Sequence, residues 1–229
     1  MRSITSANIA CGGHSGDRES VRRAVAAASS LGVNVGAHPG YPDRANFGRV
    51  AMQITPAELR HALEVQIRLV IDAAAQCGVR VTHVKPHGAL YHAVNLDTEV
   101  ARTVADTVRK VDSSMIVVVQ YGTLAASFFR EEGLLTATEA FVGRAYEADG
   151  GLRNRTLPGA LLDEERAIAQ ALGIVLHHRA TAWDGSLLTI VPDTLCLHSD
   201  TPNAAAIAKR VRGALEQAGV RMTPVRKAI

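Results

Sequence analysis

Three histidines in this chain sit among residues that can do chemistry. His14 follows Cys11-Gly12-Gly13 and precedes Ser15-Gly16-Asp17. His38 opens His38-Pro39-Gly40-Tyr41-Pro42-Asp43, with Asn46, Phe47, Gly48 and Arg49 just beyond. His87 belongs to His83-Val84-Lys85-Pro86-His87-Gly88-Ala89-Leu90-Tyr91. Imidazoles serve proton transfer near neutral pH or coordination of a divalent ion, and the spacing leaves both open. His14, His38 and His87 are expected to face one cavity. Lys85 falls at the end of a mostly apolar run, where an unpaired ammonium is costly, so a carboxylate or an anionic substrate is expected beside it. Asp17 also suits a first helical turn, where the macrodipole favours negative charge. Gly12-Gly13 offers backbone N–H groups to an anion, but it is neither GxGxxG nor a P-loop. His61, His92, His177 and His178 fall on predicted helices or their ends and read as surface or packing residues. Cys11 and Cys196 read as inert buried thiols. Neither GxSxG nor HExxH occurs.

The elements that must position these groups alternate between strand and helix. Ala7–Ala10 predicts a strand, followed by a helix from about Asp17 to Leu31 and a strand over 33–37. Thr55-Pro56-Ala57-Glu58 is a helix start, with Thr as N-cap, Pro at the first helical position and Glu58 closing a capping box. Leu59, Leu63, Ile67 and Val70 share one face of that helix, which ends before Gly78. Strands are predicted at 79–84, 115–119, 134–138 and 194–197, and helices at 98–111, from about 123 to Gly133, at 163–176 and from Pro202 to about Ala218. Residues 182–190 suit a hairpin around Asp184-Gly185, and 143–159 is the least regular stretch. This alternation implies βαβ crossovers and a mainly parallel sheet in one domain, 1–229. The polar clusters follow strand ends, including Gln120, Glu139 and His198-Ser199-Asp200. Convergence of several such clusters favours the C-terminal rim of a β/α barrel over a doubly wound sheet.

Composition sets outer limits. With 229 residues, 47% hydrophobic, 21% charged and only 4% aromatic, the chain suits helices packed on buried parallel strands. A net charge of +3 with scattered Lys and Arg argues against a nucleic-acid partner. The three cysteines, Cys11, Cys77 and Cys196, make no CxxC pair or disulfide framework, which points to a reducing cytoplasm. No apolar run is long enough for a membrane helix, and the first residues lack a signal-peptide core.

At these same clusters the chain resembles the LamB/YcsF family, the A subunits of 5-oxoprolinases. The matching segments are Ser6–Gly12 with His14 and Gly16-Asp17; Gly36–Pro39 with Tyr41-Pro42-Asp43 and Phe47-Gly48-Arg49; and His83–Tyr91. Glu139-Ala140-Phe141, Arg144-Ala145-Tyr146, Asp149-Gly150 and Cys196–Pro202 continue it almost to the end of the chain. The resemblance implies an α/β fold, a seven-stranded, distorted TIM-like β/α barrel similar to glycoside hydrolases and deacetylases. Members of the family usually open with a strand carrying Asp-x-Asn-x-Asp-x-Gly-Glu upstream of the Ser6–Gly12 segment. Met1 stands almost directly before that segment, so the expectation is a barrel lacking its first strand, with two sheet edges exposed, and a natural start further upstream.

The resemblance also implies a reaction: with B and C subunits, ATP-driven conversion of 5-oxoproline to L-glutamate. On that reading His14, Asp17, His38, Lys85 and His87 are the catalytic candidates. Asn8, Asp43, Arg49, Tyr91, Glu139 and Arg144 are the substrate-binding candidates. Lys85 and Arg49 would supply positive charge for carboxylate or phosphate, and Asp17 and Asp43 would orient the imidazoles. ATP is the co-substrate; His14, His38 and His87 are the candidates for a divalent metal, whose presence the sequence leaves open. So are homo-oligomer formation and the identity of the ATP-binding component. Two further readings are a metal-dependent deacetylase-like hydrolase on the same barrel and a non-catalytic scaffold for the B and C components.

Overall fold

The computed structural model describes residues 1–225, which form two compact units. Thr5–Ala137 makes up most of the first, and Thr138–Val225 with Arg2–Ile4 the second.

In the first unit β1 (Ser6–Ala10), β2 (Asn34–His38), β3 (Val81–Val84) and β4 (Ile116–Gln120) lie side by side in chain order, each pair parallel. Helices α1 (Arg18–Ser30), α2 (Pro56–Gln76), α3 (Gly88–Leu96), α4 (Thr98–Asp112) and α5 (Leu124–Glu131) complete the unit. Every residue of β4 is buried, as a parallel strand flanked by crossover helices requires. Helix α2 starts as its sequence predicts: Thr55 caps it, Glu58 returns to the Thr55 backbone and Pro56 sits at the first position. Leu59, Leu63, Ile67 and Val70 are all buried, and the helix packs against α1 and α4.

Helix α3, which carries His92, has no counterpart among the helices whose bounds the sequence predicts. Its sequence, Gly-Ala-Leu-Tyr-His-Ala-Val-Asn-Leu, is short and opens on a glycine, so local propensity is weak. Burial of Leu90, Tyr91 and Val94 holds it in place. Asp97, which caps α4 by accepting from the N–H groups of Glu99 and Val100, separates the two helices.

Strand β5 (Thr136–Phe141) carries the chain into the second unit, where it pairs in parallel with β8 (Thr194–Cys196). That strand runs three residues beyond its predicted end, so Glu139 lies within it. The predicted hairpin forms, but its first strand lies before the predicted 182–190: β6 (Arg179–Thr181) pairs antiparallel with β7 (Leu187–Thr189). Helices α6 (Glu164–His177) and α7 (Ala204–Gln217) pack through Ala167, Ala171, Ile207, Val211 and Leu215. Helix α7 begins two residues after Pro202, because Thr201–Asn203 form a turn closed by Ala204 N–H on the Thr201 carbonyl.

The fold is therefore α/β with six parallel strands, four in the first unit and two in the second. A seventh parallel strand is not seen among the described residues. No helix among them is long and apolar enough to cross a membrane. Leu63, 1% exposed on α2, tests the first core: Leu63→Ala is expected to cost about 2–5 kcal/mol in urea unfolding. Leu96→Ala, at a side chain 87% exposed, should stay within about 0.5 kcal/mol.

Candidate active site

Backbone pairing places the histidines of the first unit. His38 is the last residue of β2, opposite Ala10 of β1, and His14 lies four residues beyond Ala10. The β2–β3 pairing continues past the strand ends: Lys85 N–H donates to the Ala37 carbonyl at 3.0 Å, and His87 N–H to that of Pro39 at 2.8 Å. The loop after β2 is tied to the start of α3 by Ala89 N–H on the Gly48 carbonyl, 2.9 Å. Gly48 has φ +64°, and a Cβ there would stand 2.8 Å from His14 Cβ, so only glycine lets this loop close over the ring.

The three imidazoles meet as expected. The His14 ring stacks on His87 with centroids 3.6 Å apart and planes 11° from parallel. His38 meets both edge-on, at 5.7 Å from His14 and 4.8 Å from His87, and Phe47 packs edge-on against His14 and His87. His38 Nδ1 lies 2.6 Å from the Lys85 carbonyl oxygen, His38 Nε2 lies 3.1 Å from His87 Nδ1, and His87 Nε2 lies 2.9 Å from the Phe47 carbonyl oxygen. His14 Nδ1 is buried with no hydrogen-bond partner. Backbone carbonyls, not the expected carboxylates of Asp17 and Asp43, orient the rings. Asp17 is exposed and caps α1, with its carboxyl held below the usual range by the N–H and hydroxyl of Ser20. Asp43 Oδ1 accepts from the backbone and side chain of Asn46, shaping the loop instead.

The surroundings disfavour isolated positive charge on these rings. Burial, then His87, Arg49 and Arg44, pushes His14 down to about 3. Burial and the Lys85 ammonium push His38 well down, against the opposing effect of the Lys85 carbonyl. Lys85 is only 4% exposed, with its ammonium 5.5 Å from the centre of the Tyr91 ring. The Arg49 guanidinium stands 4.9 Å from the centre of the Phe47 ring. Burial also raises the Cys11 thiol to about 12, which keeps it an inert neutral group.

Two residues outside the predicted site support it. His83 is 3% exposed, its Nε2 3.0 Å from Asn8 Oδ1 and its Nδ1 2.8 Å from Thr82 Oγ1. A Cβ on Gly36 would fall 2.0 Å from His83 Nε2, so the ring needs glycine at that point on β2. Gln66 is buried on α2, and its amide accepts from Gly40 N–H at 3.0 Å and donates to the Gly40 carbonyl at 2.9 Å. It thereby holds the residue two places after His38. The signal was available: Gln66 is a polar residue on the stripe of Leu59, Leu63, Ile67 and Val70. In the second unit, Glu139 is 2% and Arg144 6% exposed, and the Arg144 guanidinium donates to the Ala160 and Arg153 carbonyls. Among the described residues no group of three or more His, Cys, Asp or Glu side chains is placed to hold a metal ion. The stacked, carbonyl-bound imidazoles do not form such a set.

Gln66→Met keeps the volume but strands both Gly40 groups, and is expected to lose about 1–3 kcal/mol in urea unfolding. Burial and Lys85 lower His83 to about 4, so the folded chain keeps it neutral while the unfolded chain protonates it from about 6.5 downward. Its contribution is present above that pH and is lost as pH falls to about 4. His83→Asn should therefore reduce the pH slope of unfolding free energy in this window, by at most about 1.4 kcal/mol per pH unit.

The profile of the LamB/YcsF family matches residues 1–229. The A subunit of the 5-oxoprolinase of Bordetella pertussis (strain Tohama I) is 43% identical over 221 residues, covering 96% of this chain and 88% of that protein. The A subunit of the 5-oxoprolinase of Methylococcus capsulatus (strain Bath) is 44% identical over 218 residues, covering 95% and 84% respectively. Among solved structures, a lactam utilization protein from Thermus thermophilus superposes with a TM-score of 0.91 at 41% identity, covering 98% of this chain and 90% of that one. The chain belongs to the LamB/YcsF family.

Proposed function

We propose that this chain is the A subunit of a 5-oxoprolinase, which with B and C subunits opens 5-oxoproline to L-glutamate at the expense of ATP. Relatives above 40% identity bear the name of that 5-oxoprolinase component. The observation that carries the reading is the gathering of His14, His38, Lys85 and His87 at the C-terminal ends of β1, β2 and β3. The β/α-barrel form belongs to the same proposal, supported by parallel strands followed by polar loops.

A lactam is an unreactive amide. Transfer of the ATP γ-phosphoryl group to the amide oxygen releases ADP and turns that oxygen into a leaving group. Water then adds to the carbon and the C–N bond breaks to leave an acyl phosphate, which a second water hydrolyses to the carboxylate and free phosphate. The site must hold a carboxylate, stabilise charge developing on oxygen and move protons. Lys85 and Arg49 supply positive charge for carboxylate or phosphate, and the imidazoles manage protons. Asn8, Tyr91, Asp43, Glu139 and Arg144 remain the substrate-binding candidates of this proposal, with Asp17 kept among the catalytic ones. A divalent ion at His14, His38 and His87 has no three-ligand set to support it among the described residues, and no step is assigned to one.

The test is glutamate release by the chain reconstituted with its B and C subunits, 5-oxoproline and ATP. Lys85→Ala and His87→Ala are each expected to lower kcat/KM by about 100-fold or more. Unchanged turnover in both would refute the site assignment.

A further inference from the structure

Two neutral rings carry too few protons for the chain of contacts through His38 and His87. A backbone carbonyl oxygen only accepts, so the 2.6 Å contact of His38 Nδ1 with Lys85 needs a proton on Nδ1. The 2.9 Å contact of His87 Nε2 with Phe47 likewise needs one on Nε2. The remaining nitrogens, His38 Nε2 and His87 Nδ1, face each other at 3.1 Å. A hydrogen bond between them requires a third proton, whereas two neutral imidazoles have two in all. Without it, two lone pairs confront each other at bonding distance.

We propose that the His38–His87 pair holds one shared extra proton and delivers it to the lactam nitrogen as the C–N bond breaks. This rests on the 5-oxoprolinase reading of the site. As the oxygen of water bonds to the carbonyl carbon, the C–N electron pair passes to nitrogen, which takes the shared proton and leaves both rings neutral. The proton released by the attacking water then restores the pair.

The surroundings make the shared proton easy to surrender. Lys85 and the neutral, stacked His14 face the pair, Arg44 and Arg49 act on His14, Cys11 is a neutral thiol, and Tyr91 lies under the Lys85 ammonium. The nearby cations oppose an added positive charge, while the two carbonyls and the 3.1 Å link demand it. A proton required by geometry and repelled by charge makes an effective general acid. The carboxylate of 5-oxoproline would offset Lys85 and Arg49 and steady the pair until the bond breaks.

The test is nitrogen-15 NMR of the full chain with labelled histidines at pH 7, with and without EDTA. Three N–H protons on the two rings, unchanged by EDTA, are expected: at His38 Nδ1, at His87 Nε2 and in the link. His87→Gln should abolish the link signal, lower the reconstituted rate about 100-fold and shift one limb of its pH profile. The wild-type count decides the matter even if that variant does not fold. A count of two, or signals that move with EDTA because a metal bridges the rings, overturns the shared proton while leaving 5-oxoproline cleavage as a separate question. Three protons with no cleavage of 5-oxoproline overturns the lactam as recipient and the functional reading with it.

Discussion

Pairing between the second and third strands does not stop where the strands do. Lys85 and His87 continue to donate to the carbonyls of Ala37 and Pro39, so the segment bearing His38 and the segment bearing His87 advance in register. A shift at Val35/Gly36 precedes this stretch and sets its phase. With the two backbones locked, the side chains of His38 and His87 meet nitrogen to nitrogen. Gln66 reinforces the arrangement from the α2 helix, pairing with both groups of Gly40 as another strand would. The site is thus an extension of the sheet, held by backbone bonds and braced by the Gln66 side chain.

The same construction explains its electrostatics. Rings at the ends of buried strands lose water on most sides, and the carbonyls that orient them make no charge of their own. Lys85, Arg44 and Arg49 lend the region a positive field, so His14 and His83 stay neutral at ordinary pH. A site of desolvated imidazoles beside Lys85, Arg44 and Arg49 suits an anion whose own charge completes the balance. The carboxylate and the transferred phosphate of the proposed lactam cleavage are both of that kind.

Much of this was legible in the residues. The Thr55-Pro56-x-Glu58 cap, the stripe on α2 and the β–α alternation follow local rules that tertiary contacts did not override. The three histidines were recognisable because each falls at or just after the C-terminal end of a strand. Other features were not legible. Helix α3 has too little local propensity and exists through burial of Leu90, Tyr91 and Val94. Asp17 and Asp43 were expected to orient imidazoles, yet short-range partners, Ser20 and Asn46, hold them at far smaller entropic cost. His83 stood in view within its motif, but only the close approach of Gly36 shows that it is a packed support.

The sequence by itself determined which residues are candidates for chemistry, that they lie at the ends of parallel strands, and the LamB/YcsF family to which the chain belongs. Those properties depend on local spacing and residue type. Only the tertiary structure decided which nitrogen of each ring faces which partner, and that the orienting groups are carbonyls of Lys85 and Phe47. Strand register and loop closure set those distances to tenths of an ångström, and neither is written in the spacing of residues along the chain.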